Sequence, residues 1–296
     1  MNARTVNRIW TGIFYILSAF VVLLLAFLVF EIIKKGWGFW DPAFLTGRTS
    51  NMAPGGGIGA QLFNSFYMLI ITLMISVPLG LGAGIYLAEY AKQGKMLNFI
   101  RLCIEAMASL PSIVVGLFGL LVFVTATGWG YTVIGGALAI TILNLPGLAR
   151  VCETAIADVP DNVKEASLGL GATKWQTITR IALPTAMPQI ITGVILAAGR
   201  IFGEAAALIY TAGLTTPMLN MNADVTSPMN PFNIFRPAET LAVHIWKLNS
   251  EGIVPDAAEI ATKSAAVLIV MVLIFNILAR LLSSLLQKRF EGGKKR

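Results

Sequence analysis

Apolar residues gather into six long runs along the chain, and polar residues collect between them. The runs cover 9–33, 66–88, 106–126, 131–149, 187–210 and 264–286. A helix needs about 20 apolar residues to cross the hydrocarbon core of a bilayer, so each run is long enough, or nearly so. Helices are expected because backbone N–H and C=O groups find no water there and must pair within the segment. The pattern predicts an all-α, polytopic integral membrane protein with six transmembrane helices. The first run follows Arg4 and Arg8, as a secretory leader would. It exceeds the usual apolar stretch of roughly 7–15 residues, and no small-x-small cleavage site follows. A retained anchor is expected, with 1–65 as anchor and external segment, 66–286 as the core and 287–296 as a basic tail.

Composition agrees. Hydrophobic residues make up 56% and charged residues 12% of the chain, against about 25% charged in a soluble domain. The net charge of +7 points to the membrane rather than to nucleic acid, because of where the cations fall. Loops on one side hold Arg4, Arg8, Lys92, Lys95, Arg101, Arg150, Lys164, Lys174, Arg180 and the cations from Lys288 to Arg296. Loops on the other hold only Lys34, Lys35, Arg48, Arg236, Lys247 and Lys263. Lys and Arg concentrate on the cytoplasmic side, so both termini and the loop 150–186 are expected there, in a bacterial inner membrane. Cys103 and Cys152 fall near that reducing side, where a disulfide is not expected.

Several local signals leave two readings open. Pro54-Gly55-Gly56-Gly57-Ile58-Gly59 reads as a flexible connector or as a nest of bare amides for an anion. Pro78, Gly80, Gly82 and Gly84 in the second run suit close helix packing or a hinge. Ser109 or Ser112, with Pro111, suits a helix start. In the external segment 211–263, Leu241, Ile245 and Leu248 share a helical face, and the lone His244 reads as structural rather than metal-binding.

The loop about 158–186 carries the clearest pattern. Asp161 is placed to accept bonds from the free amides of a first helix. That helix runs to about Leu170, Gly171 permits a sharp turn at positive φ, and Thr173 caps a second short helix that Leu183-Pro184 ends. Glu165-Ala166-Ser167, then Gly171, then Ile181, Leu183 and Pro184 resemble the EAA loop of ABC-type import permeases. Ser167 stands where those have Ala. The resemblance implies a docking device gripped by a separate ATPase, with an exposed helix lying in a partner groove.

Nothing in the chain suggests catalysis. There is no Gly-x4-Gly-Lys-Ser/Thr phosphate loop, Gly171-Ala172-Thr173-Lys174 only superficially resembles one, no zinc spacing occurs, and there is one histidine. No catalytic residue, metal or resident cofactor is expected. The fifth run does carry Arg200 and Glu204, predicted on one helical face with Gly193, Ala197 and Ala207. A charge within a span is costly and normally faces a cavity or partner. Arg presents a forked donor suited to oxyanions. A self-neutralising pair is the other reading, although Arg before Glu at i, i+4 is its poorer orientation.

Gly199-Arg200-Ile201-Phe202-Gly203-Glu204 and Tyr210-Thr211-Ala212-Gly213 resemble phosphate ABC importer permeases of the PstA type. So do Pro111 to Gly116 and Glu239-Thr240-Leu241-Ala242-Val243-His244-Ile245-Trp246. Those permeases often carry Thr-Ala-Pro after the Glu, where this chain has three alanines. The resemblance implies a type I importer permease fold and inorganic phosphate as the cargo. It also implies a homologous PstC-like second permease, an ATPase dimer using ATP and Mg, and a periplasmic phosphate-binding protein. Arg200 and Glu204 would line the path. A permease for sulfate, molybdate or phosphonate is the sibling alternative; an ion-driven carrier or a scaffold without flux is the more distant one.

Overall fold

The computed structural model describes residues 3–50, 55–252 and 255–291, with side chains described as far as 285. All regular structure among them is helical. Helix α1 (Ala3–Lys35) is followed by a short α2 (Pro42–Thr46) and by α3 (Gly59–Ile85), which ends in a π-helical turn at Tyr86–Tyr90. Then come α4 (Lys95–Ala108), α5 (Ser112–Gly119, extended by a π-helical turn at Leu120–Ala126) and α6 (Val133–Ala157). The knuckle helices α7 (Asp161–Gly169) and α8 (Lys174–Thr177) lead through a π-helical turn (Ile178–Ala182) into α9 (Leu183–Phe202). Helices α10 (Ala206–Thr211), α11 (Leu241–Glu251) and α12 (Ala257–Glu291) complete the chain. Residues 292–296 of the basic tail, and Pro54 of the glycine run, lie outside the described residues.

Five helices are long and apolar enough to cross a membrane, and a sixth span is counted if a bent pair is taken as one. That pair corrects the expected helix over 106–126. The chain turns by 95° between α4 and the 112–126 segment. Pro111 explains it: it disfavours helical backbone at Leu110 and has no N–H to continue the ladder. Pro111 itself is the cap residue, and neither Ser109 nor Ser112 caps α5 through its side chain. Helix α4 instead lies against α6, joined by Arg101–Glu153 at 2.6 Å and Arg150–Glu105 at 2.7 Å.

Close packing of α3 on α6 sets the centre of the bundle. A Cβ on Gly80 would lie 2.9 Å from Leu148 Cβ, and one on Gly84 only 2.3 Å from Cys152 Cβ. These glycines let two backbones approach, which is the packing reading of that cluster. Gly193 serves α9 in the same way, against Val151. Phe202 pins the far end of α9, with its ring 5.2 Å from that of Phe66 and 5.4 Å from that of Phe275. Helix α1 buries no residue and turns its apolar side chains outward along its length. Such a surface is stable in hydrocarbon and unstable in water.

Candidate functional site

The knuckle between α6 and α9 is built largely as its residues dictate. Helix α7 ends in a Schellman motif: Gly171 takes φ +86°, its N–H donates to Leu168 O, and the Ala172 N–H donates to Ser167 O. Thr173 then caps α8 through a reciprocal capping box with Gln176. Ser167 is buried, and its hydroxyl is 3.0 Å from that of Thr177, clasping the two short helices together. Asp161 does not act as the expected cap. Pro160 holds the cap position without a side-chain bond, and Asp161 is the first helical residue.

Two lysines bolt this knuckle to the bundle. Lys164 Nζ donates to Glu89 Oε1 at 2.7 Å and to Ile156 O at 3.2 Å, so it meets the ends of both α3 and α6. A cation at the C-terminal carbonyls of α6 also suits the helix dipole. Lys174 reaches the Glu89 carbonyl and lies over the Tyr90 ring. The outer face is left free. Glu165 and Ala166 are exposed, and so are Leu168, Trp175 and Leu170, the last at 90%.

Leu183 and Pro184 do not end the second helix, as the sequence suggested. The chain runs helically from Lys174 to Phe202 for 29 residues. The π-helical turn at Ile178–Ala182 falls just before Pro184, whose ring then sits in the first turn of α9. There the missing N–H breaks no α-helical bond. At 1.5 Å per residue the continuous rod is about 43 Å long. Ile181 and Leu183 are partly buried along it, and Leu183 packs against the α6 cluster.

The other end of this rod corrects a second expectation. Arg200 and Glu204 do not share a helical face, because the helix stops at Phe202 and restarts at Ala206. Gly199 and Gly203 weaken the helix there, and the Glu204 carboxylate, one residue before the cap position at Ala205, accepts from the Ala207 N–H at 3.2 Å in the first turn of α10. The break therefore forms with three alanines, and no proline, directly after Glu204. Arg200 is exposed in the last turn of α9 and has no hydrogen bond or ion pair among the described residues. The self-neutralising pair is absent, and a free guanidinium stands on a membrane-length helix.

A buried polar hub at the opposite end of the bundle from the knuckle escaped the sequence reading. Arg236 is 0% exposed. Its guanidinium donates to Pro231 O, Pro237 O and Asn64 Oδ1, and burial pushes its pKa down to about 10. Glu239 accepts from Gln61 Nε2 at 3.1 Å, lies 3.0 Å from His244 Nδ1 and 3.7 Å from Lys247 Nζ. His244 is thus a partner of a carboxylate inside the fold. The visible signal was the grouping of Arg236, Glu239, His244 and Lys247 within one short stretch of the external segment.

Known proteins place this arrangement. Residues 80–292 match the family described as binding-protein-dependent transport system inner membrane component. The chain is 53% identical, over 99% of its length and 100% of the other, to the probable ABC transporter permease protein YqgI of Bacillus subtilis. It is 32% identical, over 94% of each chain, to the phosphate transport system permease protein PstA of Haemophilus influenzae. Among solved structures, a bacterial alginate ABC transporter in complex with its periplasmic protein aligns with a TM-score of 0.62 at 17% identity, covering 93% of this chain and 94% of that one. An inward-facing methionine ABC transporter aligns with a TM-score of 0.57 at 16% identity, covering 78% and 94%. At those identities the shared property is the type I importer permease fold. A polytopic helical chain with an outward-facing knuckle and no catalytic array thus belongs to the binding-protein-dependent inner membrane components, the non-enzymatic permease subunits of ABC importers.

Proposed function

We propose that this chain is the PstA-type half of a phosphate importer. In this reading it pairs with a homologous PstC-like permease, receives inorganic phosphate from a periplasmic binding protein and is driven by an ATPase dimer that uses ATP and Mg. Both termini and the knuckle face the cytoplasm. Glu165, Ala166, Ser167, Gly171, Ile181, Leu183 and Pro184 form the coupling element, with the exposed Leu168, Leu170 and Trp175 entering the ATPase groove. Because α8 runs unbroken into α9, a tilt of the knuckle turns the same rod that carries Arg200. Lys164 passes the displacement to α3 and α6 through Glu89 and Ile156. This is rigid-body alternating access.

The observation that carries the oxyanion reading is Arg200. An unpaired guanidinium on a membrane-length helix needs an anionic visitor or a partner chain, and the forked donor set fits tetrahedral oxyanions. Glu204 is engaged with the Ala207 N–H in the first turn of α10 and leaves that charge uncompensated. Similarity to proteins named for phosphate transport supports phosphate over other oxyanions. The test is labelled-phosphate uptake by the complex reconstituted in vesicles with ATPase and binding protein. Uptake requiring all components and ATP is expected. Arg200→Ala lowers it about 10–100-fold, the loss of one or two charge-assisted hydrogen bonds. Undiminished uptake by assembled Arg200→Ala, or stronger competition by sulfate than by unlabelled phosphate, refutes the assignment.

A further inference from the structure

We infer that the end of the bundle opposite the knuckle holds a second anion site, distinct from Arg200, in a cavity of about 430 Å³ beside the polar hub. Its walls come from the segment before α3, the start of α3, the strand-like stretch around 215–221, and α11. The donor arithmetic identifies the ligand. Thr216 Oγ1 accepts from Asn64 Nδ2 at 2.9 Å and from the Glu239 N–H at 3.0 Å. The Asn64 amide is fixed in that orientation because its oxygen accepts from Arg236. Both lone pairs of the Thr216 hydroxyl are therefore used, and its hydrogen is left to donate.

Lys247 lines the same cavity. It gives one N–H to Leu214 O at 3.0 Å and lies 3.7 Å from Glu239, whose oxygens are already held by Gln61 and His244. An ammonium has three N–H groups, so Lys247 keeps a spare donor. The Arg48 guanidinium, exposed at the rim, has no hydrogen bond or ion pair among the described residues. The nearest side-chain acceptors already have partners: Glu239 as above, and Gln61 Oε1 from the Thr49 hydroxyl at 2.7 Å. Lys247 and Arg48 against one satisfied carboxylate leave the cavity positive. Free donors and a positive balance favour an acceptor-only oxyanion. The volume lies in the range of small-molecule sites, about 300–1,000 Å³, and Phe63, Met218 and Met221 supply an apolar wall. The site accepts inorganic phosphate or the phosphate head of a small organic ester.

As a receiving station for the transported anion, the pocket rests on the phosphate reading above; as a binding site it rests on the donors alone. The test is equilibrium binding of labelled inorganic phosphate to the purified permease complex in nanodiscs, without binding protein or ATP, with phenyl phosphate as competitor. Saturable binding is expected. It weakens about tenfold or more in Arg48→Met and in Lys247→Met, is kept in Lys247→Arg, and persists in Arg200→Ala. Arg48→Met should leave folding largely intact because that guanidinium is exposed and holds no partner among the described residues, so it decides the question even if Lys247→Met assembles poorly. Stronger competition by phenyl phosphate than by phosphate supports the site with an organic ester as its ligand; the reverse supports it with the inorganic ion. Absence of saturable binding, binding unchanged by Arg48→Met, or loss of all binding in Arg200→Ala overturns the second site. Each of those results leaves ATP-driven uptake, and the phosphate reading that uptake tests, to stand or fall separately.

Discussion

Where α3 begins, Arg236, Glu239 and His244 are buried and each is held by neighbours on other segments. Where α3 ends, Glu165, Leu168, Leu170 and Trp175 face outward, and the knuckle is fastened chiefly by Lys164 and Lys174. The two ends differ in what it costs to move them. A buried, satisfied network is expensive to open because every group left behind loses its partner in a low-dielectric setting. An exposed knuckle resting on a few charged contacts shifts at small cost. The hub end is built as an anchor and the knuckle end as a part that a partner can displace.

The largest effect should follow from opening the anchor. Glu239→Ala removes the acceptor for Gln61, His244 and Lys247 at once. Breaking a buried charged contact by deleting one partner typically costs about 3–5 kcal/mol. Denaturant unfolding in detergent should show a loss of that order, and Glu239→Gln, which keeps an acceptor oxygen, should lose less. A loss below about 1 kcal/mol, the scale of an ordinary solvent-compensated hydrogen bond, would remove the distinction between the two ends.

Next comes the seam that joins them. Gly84→Ala would place Cβ 2.3 Å from Cys152 Cβ and 2.8 Å from the Glu153 backbone nitrogen. Overpacking of this kind costs about 1–3 kcal/mol. Gly82 sits one residue from the opposite side of the same helix with nothing within 4 Å of its Cβ position, so Gly82→Ala should stabilise by up to about 1 kcal/mol through helix propensity. Equal and same-signed shifts for the two would mean that the α3–α6 contact is looser than the structure has it.

How far the sequence anticipated this comparison depends on the range of the interactions. The knuckle was largely legible because its devices are local. Gly171 at positive φ and the Thr173–Gln176 box each act within four residues. The spans were legible because hydropathy does not depend on partners. The larger departures lie elsewhere. The turn at Pro111 and the break at Gly203 interrupt apolar runs that composition alone joins. Pro184 was read as a stop, although a π-helical turn ahead of it carries the helix through. The hub could not be assembled from the sequence because it joins Asn64 to Arg236 and Gln61 to Glu239 across more than 170 positions. The Glu239–Trp246 stretch was noticed only as a likeness, with nothing in it to name its partners. Arg200 stands exposed in the last turn of α9, but its expected neighbour Glu204 is turned to α10.

A smaller stability effect is expected at the knuckle's fastening. Lys164 and Glu89 are mostly shielded, with side chains 14% and 12% exposed. Lys164→Met should cost about 1–3 kcal/mol, as for a hydrogen bond to a charged group. The Lys164→Met/Glu89→Gln double variant should cost less than the two single changes added together, because they act on one contact. The sharper readout is transport: ATP hydrolysis by the reconstituted complex should continue while uptake per ATP falls. Unchanged uptake per ATP would show that the knuckle drives α9 without the link to α3.

The smallest effect on folding, paired with a large one on assembly, should come from Leu170→Asp. Leu170 is 90% exposed at the tip of α7, so it has almost no buried area to lose, and surface substitutions of this kind stay within about ±0.5 kcal/mol. The same exposure makes a leucine costly in water and suited to a hydrophobic groove. Placing a carboxylate there should leave the unfolding curve in place while ATPase co-purification with the permease falls sharply. That separation would not occur at the hub, where any change that alters function also opens buried contacts. If Leu170→Asp instead lowered stability as much as Glu239→Ala, the knuckle would be part of the anchor. If it altered neither stability nor assembly, the groove contact would have to lie along Trp175 and Leu168.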